Sequence, residues 1–282
     1  MEKACLLSDR GLVTIIGADA ATLLQRLVTN SVLDIPAGES RFAGLLSPQG
    51  KLMFDFFIIP TPDGTEAGYY LECPAALAQN LVERLNFHKL RAKIKIENRS
   101  DAYAVAAVWG GTPPAGDGLT IYRDMRSPGM GLRVIVPRES SSLFGAGNEA
   151  AYESHRIAEG APKGGVDFAY GEPIVQDINL DWLNGVDFKK GCFVGQEVAS
   201  RVHHRKSARK RIVKLHFTGP APEVGAAVMA GETAIGEVSS IAGSEGLAML
   251  RIDRLEEARG AGASFKAGGA DVEIAAPVSP SA

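Results

Sequence analysis

The chemistry in this chain concentrates in residues 184–204, which read NGVDFKKGCFVGQEVASRVHH. Nine consecutive positions, Lys189 through Glu197, hold two cations, a thiol, two glycines, an amide and a carboxylate. Cys192 is the candidate catalytic residue, because an ionised sulfur is the form that attacks electrophiles and binds metals. Gly191 and Gly195 flank it and allow a tight bend or a close backbone approach. Val198 and Val202 are four residues apart, so a short helix is predicted to start near Gly195. Cys192 then precedes a helix N-terminus. There unpaired N–H groups, the helix dipole, Lys189 and Lys190 favour thiolate, and Glu197 opposes it if it faces the sulfur. The alternative is a small buried apolar residue, the usual state of a free cysteine.

Positions 190–197, KGCFVGQE, followed by Ser200 and Arg201, resemble the signature of the YgfZ-type folate-binding proteins. These are bacterial relatives of a mitochondrial factor that helps mature four-iron clusters, within the wider superfamily of the glycine-cleavage T-protein, an aminomethyltransferase. The resemblance implies an α+β fold: a T-protein-like ring of folate-binding modules, a C-terminal antiparallel β-barrel and a central channel for tetrahydrofolate. It also implies a role in assembling or repairing iron–sulfur clusters, with Cys192 reactive and Lys190, Gln196, Glu197 and Arg201 shaping its surroundings.

The elements that must position these residues can be read in order. Residues 11–17, GLVTIIG, form a strand, and Ala21, Leu24, Leu27 and Val28 then mark one helical face. Two further strand-like runs are joined by Ser47-Pro48-Gln49-Gly50, which has hairpin chemistry. Asp55 is the one charge in the second run, LMFDFFII, and is costly to bury unpartnered. It either faces a polar cavity or lies on the exposed side of its strand. The T-protein carries paired aspartates here, implicated in holding folate; this chain aligns Phe54 and Asp55 with them, so one carboxylate is missing.

Residues 74–90 are an amphipathic helix with Leu77, Leu81 and Leu85 at four-residue steps, and two strands follow. RDMRSPGMGLR, residues 123–133, resembles the family connection into a strand. Its Asp124 and Arg126 could be only an exposed ion pair, which contributes little, or Arg126 or Arg133 could bind an anion. A helix over 148–159 ends at Gly160. Where the family places a pterin-anchoring glutamate this chain has Ala158, and Glu159 points about 100° away around a helix. Asp177, Asn179 and Asp181 make a polar approach to Trp182. Beyond residue 209, short β runs with glycine turns predict a small barrel, and the tail from Pro277 is expected to be disordered.

The chain has 282 residues, 22% charged, with a net charge of −3. That composition fits a soluble intracellular protein of two or three domains and argues against a polyelectrolyte partner. The basic stretch 203–214 fits a solvated linker, or a cationic mouth for a polyglutamate-tailed folate, better than a nucleic-acid surface. Three widely spaced cysteines, with no CxxC pair, predict no metal site and a reducing cytoplasm. The resulting expectation divides the chain into 1–205, a folate-binding α+β region of two interleaved modules, and 206–282, the barrel. It makes the chain a monomeric, tetrahydrofolate-binding accessory factor for iron–sulfur assembly. Asp55, Lys190, Gln196, Glu197, Arg201 and Arg126 would contact the cofactor, and iron–sulfur client enzymes or assembly proteins would be partners. Neither nucleic acid nor membrane is expected to bind. The alternative is a folate-dependent aminomethyltransferase or demethylase, which needs carboxylates to position the reacting amine.

Overall fold

The computed structural model describes residues 3–144 and 148–275; the tail from Pro277 lies outside them. The first region contains β1 (Ala4–Leu6), β2 (Arg10–Ile16), α1 (Ala20–Leu27), β3 (Arg41–Leu46), β4 (Leu52–Pro60), β5 (Gly68–Pro74) and α2 (Ala78–Lys89). It continues through β6 (Lys95–Asn98), β7 (Tyr103–Val108), β8 (Thr120–Arg123), β9 (Leu132–Pro137) and α3 (Glu149–Ala158). After a long irregular connector come α4 (Gln196–Arg205), β10 (Lys210–Thr218), β11 (Ala227–Ala230), β12 (Thr233–Ala242) and β13 (Glu245–Arg251). The last elements are α5 (Ile252–Gly260), β14 (Phe265–Ala267) and β15 (Ala270–Ile274).

These elements form a five-stranded sheet ordered β3-β4-β5-β2-β6, a four-stranded sheet ordered β1-β7-β9-β8, and a closed barrel ordered β10-β13-β12-β11-β14-β15. All their strand pairs are antiparallel. The α+β class with a C-terminal antiparallel barrel is the architecture expected from sequence.

Period-two alternation sorts the central strands between two cores. Val13, Ile15, Phe56 and Ile58 face α1 and α2, meeting Leu24, Leu27, Leu81 and Leu85. Leu12, Phe57 and Ile59 face the other way, against Tyr122 and Ile135 of the four-stranded sheet and Val175, Ile178 and Leu180 of the connector. α2 buries Ala78, Leu81, Val82 and Leu85, the three-and-four spacing of a single apolar stripe.

An ionic cluster joins the two sheets. Glu72 on β5, fully buried, accepts from Arg133 Nη1 at 2.7 and 2.9 Å, from Arg10 Nε and from the Tyr122 hydroxyl. Arg133 Nε donates to Asp124 at 2.9 Å, and Arg126 grips the same carboxylate at 3.0 and 2.7 Å. Arg126 and Arg133 both lie over the Phe57 ring, at 5.3 and 4.6 Å respectively. The Asp124–Arg126 pair is therefore not the exposed pair allowed by the sequence, since Asp124 and Arg126 are 1% and 8% exposed. The isolated DMR spacing carries no sign of the Glu72 and Arg133 partners that make this burial tolerable.

Burial alone would push the Glu72 and Asp124 carboxyls up, but the adjacent guanidiniums hold both below their ordinary range. A depressed folded value means that the stabilisation is complete above the unfolded value, about 4, and is lost as pH falls below it. Removing one member of a buried pair costs about 3–5 kcal/mol. Glu72→Gln is therefore expected to lower the unfolding free energy at neutral pH by about that amount, read from urea denaturation. The wild-type chain should lose this advantage below about pH 4.

Candidate functional site

The thiol loop is bent by two left-handed glycines, Gly191 at φ 97° and Gly195 at φ 78°. A Cβ at Gly195 would lie 2.6 Å from the Ser47 carbonyl oxygen, so this position must pass against the β3–β4 turn without a side chain. The bend delivers the chain into α4, with Gly195 as its N-cap. Cys192 sits four positions ahead of that helix and is exposed, whereas Cys5 and Cys73 are fully buried. Burial pushes the two buried thiols up, Cys5 to about 11 and Cys73 to about 12.

Two anchors hold the exposed sulfur's neighbours. Lys190 Nζ donates to the carbonyls of Val28 and Asn30 at 2.6 and 2.8 Å, capping the end of α1 with a cation. Burial lowers the Lys190 ammonium to about 8, against an opposing contribution from Asp187. Phe193 inserts into the core beneath the four-stranded sheet. Gln196 opens α4, and exposed Glu197 lies 3.8 Å from Arg201 one turn on.

Asp55 is elsewhere. It is 6% exposed, which settles its two alternatives in favour of the inward one, and its Oδ1 accepts the Tyr170 hydroxyl proton. Phe54, in place of the second family aspartate, packs into the α1–α2 core. The hollow beside Asp55 measures only about 30 Å³, lined also by Arg10, Arg126, Arg133 and Arg156. That space suits one or two waters. A pterin does not fit at Asp55.

A larger cavity, about 220 Å³, opens where the β8–β9 connection, the end of α3 and the irregular connector meet the barrel. Arg126, Ser127, Glu159, Trp182, Asn184 and Lys214 line it. Glu159 terminates α3 and accepts the Ser127 hydroxyl at 2.7 Å. Arg126 contributes a guanidinium whose Nη1 donates no hydrogen bond among the described residues. Trp182 is backed by Arg211 at 3.7 Å, itself tied to Asp181 at 2.6 and 2.9 Å. The space and its donor–acceptor set fit a heteroaromatic ring. Of the six residues expected to touch folate, Arg126 alone lines this cavity; Lys190, Gln196, Glu197 and Arg201 lie on the thiol loop and α4, and Asp55 lines only the smaller hollow. The polar approach to Trp182 falls here, although the sequence alone does not mark it as a cavity. Glu159 stands one residue past the family's pterin-anchoring position, where helix periodicity turns it away, yet it lines this cavity. Lys214 carries no sequence signal, because the end of α3 and the first barrel strand meet only through the fold.

The basic stretch is likewise not a free run. Arg211 is 7% exposed in its pair with Asp181, and Lys214 Nζ donates to the Ala158 carbonyl.

Residues 7–120 match the family model for the GCVT N-terminal domain, and residues 209–280 match that for the CAF17 C-terminal beta-barrel domain. The iron–sulfur cluster assembly factor IBA57 homolog, mitochondrial, of Mycosarcoma maydis is 34% identical over 232 residues. That match covers 76% of this chain and 57% of the relative, so the chain spans less than two thirds of that protein. The mitochondrial assembly factor IBA57 of Homo sapiens is 30% identical, with 90% of this chain and 79% of the relative covered. The chain belongs to the IBA57 family.

The crystal structure of glycine cleavage system aminomethyltransferase T from Bartonella henselae superposes with a TM-score of 0.76 at 17% identity, covering 96% of this chain and 84% of that one. It shows a shared T-protein fold for this IBA57-family chain. The relatives' names contain the word mitochondrial, which overturns the cytoplasmic expectation. That expectation rested on unpaired cysteines, which do not separate one reducing compartment from another.

Brief alkylation of the folded protein at neutral pH should label Cys192 and leave Cys5 and Cys73 unmodified until denaturant is added, as read by peptide mass spectrometry. Lys190→Met removes two charge-assisted hydrogen bonds, each worth about 1.5–3 kcal/mol, and should speed amide exchange across residues 188–195 by about tenfold or more.

Proposed function

We propose that this chain takes part in assembling iron–sulfur clusters and that Cys192 is its working thiol. The observation that carries the reading is that, of three cysteines, only Cys192 is exposed, on a loop braced from both sides by Lys190 and Phe193. The family's names give the class of task. Iron–sulfur clusters are commonly held by four thiolates. Cys192 supplies one, and among the described residues no group of three His, Cys, Asp or Glu side chains is placed to hold a metal. The remaining ligands would therefore come from an assembly protein or a client enzyme, with this chain as a one-thiolate participant.

The YgfZ-type reading of the KGCFVGQE motif adds reduced folate. We place its ring in the 220 Å³ cavity beside Trp182, with the Glu159 carboxylate accepting from ring N–H groups and Arg126 donating. In an aminomethyltransferase folate supplies one-carbon chemistry. In this chain the carboxylate expected to serve that chemistry, Asp55, is sealed under Tyr170, which disfavours the transferase reading.

The deciding experiment is complementation of cells lacking the endogenous protein, scored by the specific activity of a four-iron enzyme. Wild type should restore it; Cys192→Ser, checked for an unchanged thermal melt, should leave it at background. Equal rescue by both would end the thiol reading. Tetrahydrofolate binding, followed by fluorescence titration, should weaken about tenfold in Glu159→Gln, the loss of one charged hydrogen bond, and change little in Asp55→Asn.

A further inference from the structure

The end of α2 breaks the helix's own pattern. Its buried stripe, 78, 81, 82 and 85, would continue at 88 or 89, yet the large apolar residues fall at Phe87 and Leu90. They are 73% and 89% exposed, the two most exposed large hydrophobics among the described residues. Leu90 also sits at φ 48°, ψ −112°, a backbone region that disfavours a branched side chain, and this directs it away from the core. The chain then turns through residues 91–94 into β6, so both side chains stand on a projecting corner.

Cations surround that corner. Arg84, Arg91 and Lys93 are exposed and Lys89 is half-buried, and none of the four makes an ion pair among the described residues. The nearby carboxylates are otherwise engaged: Asp19 accepts the Lys93 backbone N–H at 2.6 Å, Glu97 pairs with Lys95 at 3.0 Å, and Glu83 accepts from Gln79. This concentration of free positive charge occurs in a chain whose net charge is −3.

We propose that this corner docks on an anionic lipid surface, with Phe87 and Leu90 entering the interfacial layer and the four cations resting among the headgroups. Isolated, projecting apolar side chains ringed by unpaired Lys and Arg suit a lipid interface, where the apolar body is buried and the charge remains at the wet boundary. A protein partner would have to supply a concave acidic pocket, whereas a bilayer accepts a projecting corner directly. The corner and the thiol loop meet opposite ends of α1: Asp19 at its N-terminal end accepts the Lys93 backbone N–H, and Lys190 ties the Cys192 loop to its C-terminal end. Such docking requires no membrane-spanning helix, and none of the described helices is long and apolar enough to be one.

The test is co-sedimentation of the full chain with vesicles of phosphatidylcholine alone or with phosphatidylglycerol added. The expected result is binding only to the anionic vesicles, weakened by salt. Phe87→Ser with Leu90→Ser, and separately Arg91→Glu with Lys93→Glu, should each reduce binding by about tenfold or more, since a few interfacial contacts suffice for that change. All four positions are exposed, and unchanged thermal melts confirm that the variants fold. Arg205→Glu with Lys206→Glu, in the other basic region, should bind as wild type does. Absence of vesicle binding, binding indifferent to the corner variants, or loss of binding in the Arg205/Lys206 variant would each overturn the proposal. Capture of an acidic protein by the corner with vesicles inert would also overturn it.

Discussion

Glu72 is a carboxylate with no exposure to water, enclosed by Arg10, Arg133 and the Tyr122 hydroxyl, and much else in the molecule follows from that burial. A lone buried charge is prohibitively costly, so each ion must be matched and its remaining hydrogen-bonding positions filled. Glu72 and Arg10 come from the five-stranded sheet, Arg133 and Tyr122 from the four-stranded one, and Tyr152 of α3 accepts a further Arg133 proton at 2.8 Å. The matching is possible only when both sheets and α3 are assembled in one arrangement. The cluster thus specifies a geometry as well as contributing to its stability.

The cluster also governs what the interior can hold. Three guanidiniums face Glu72 and Asp124, and Asp55 lies near enough to Arg10 to stabilise its cation, so three carboxylates meet three arginines. Asp55 is in this sense part of the balance of charge, further fixed by Tyr170. The volume that a carboxylate-lined ligand channel would need is filled by arginine and aromatic side chains, leaving about 30 Å³. A more open space, about 220 Å³, lies behind Arg126, against the barrel, where Trp182 and Glu159 line it. A fold shared with an aminomethyltransferase is therefore compatible with a different internal chemistry.

Much of the fold was legible because its signals are local. The α2 stripe, the Ser47–Gly50 turn, Asn148 capping α3 and the glycine ahead of α4 each act within a few residues of their cause. The site was less legible because its parts meet through long sequence separations. Arg126 and Glu159 are 33 positions apart, and Lys214 comes from the barrel, so no motif spacing announces that they share a cavity. The Asp124–Arg126 pair shows the same limit. Its type and spacing describe a surface pair, and only the distant Glu72 and Arg133 make it an interior one. The KGCFVGQE loop is the exception, because its bends and its thiol are encoded side by side.

That loop shows how a thiol can be exposed without being loose. If the proposed role holds, the thiol cannot be buried, yet a freely moving loop would lose conformational entropy at each encounter. The structure divides the two requirements among neighbours. Lys190 places its ammonium on two backbone carbonyls at the end of α1, Phe193 fills a core position, and Gly195 passes against the β3–β4 turn where no other residue fits. Each anchor lies within three residues of Cys192, so the bend between them has little freedom left. Because Lys190 titrates near 8, the strongest polar anchor is charged at neutral pH and weakens in mild alkali. The order around the sulfur thus depends in part on a neighbouring ammonium, which links presentation of the thiol to the protonation of Lys190.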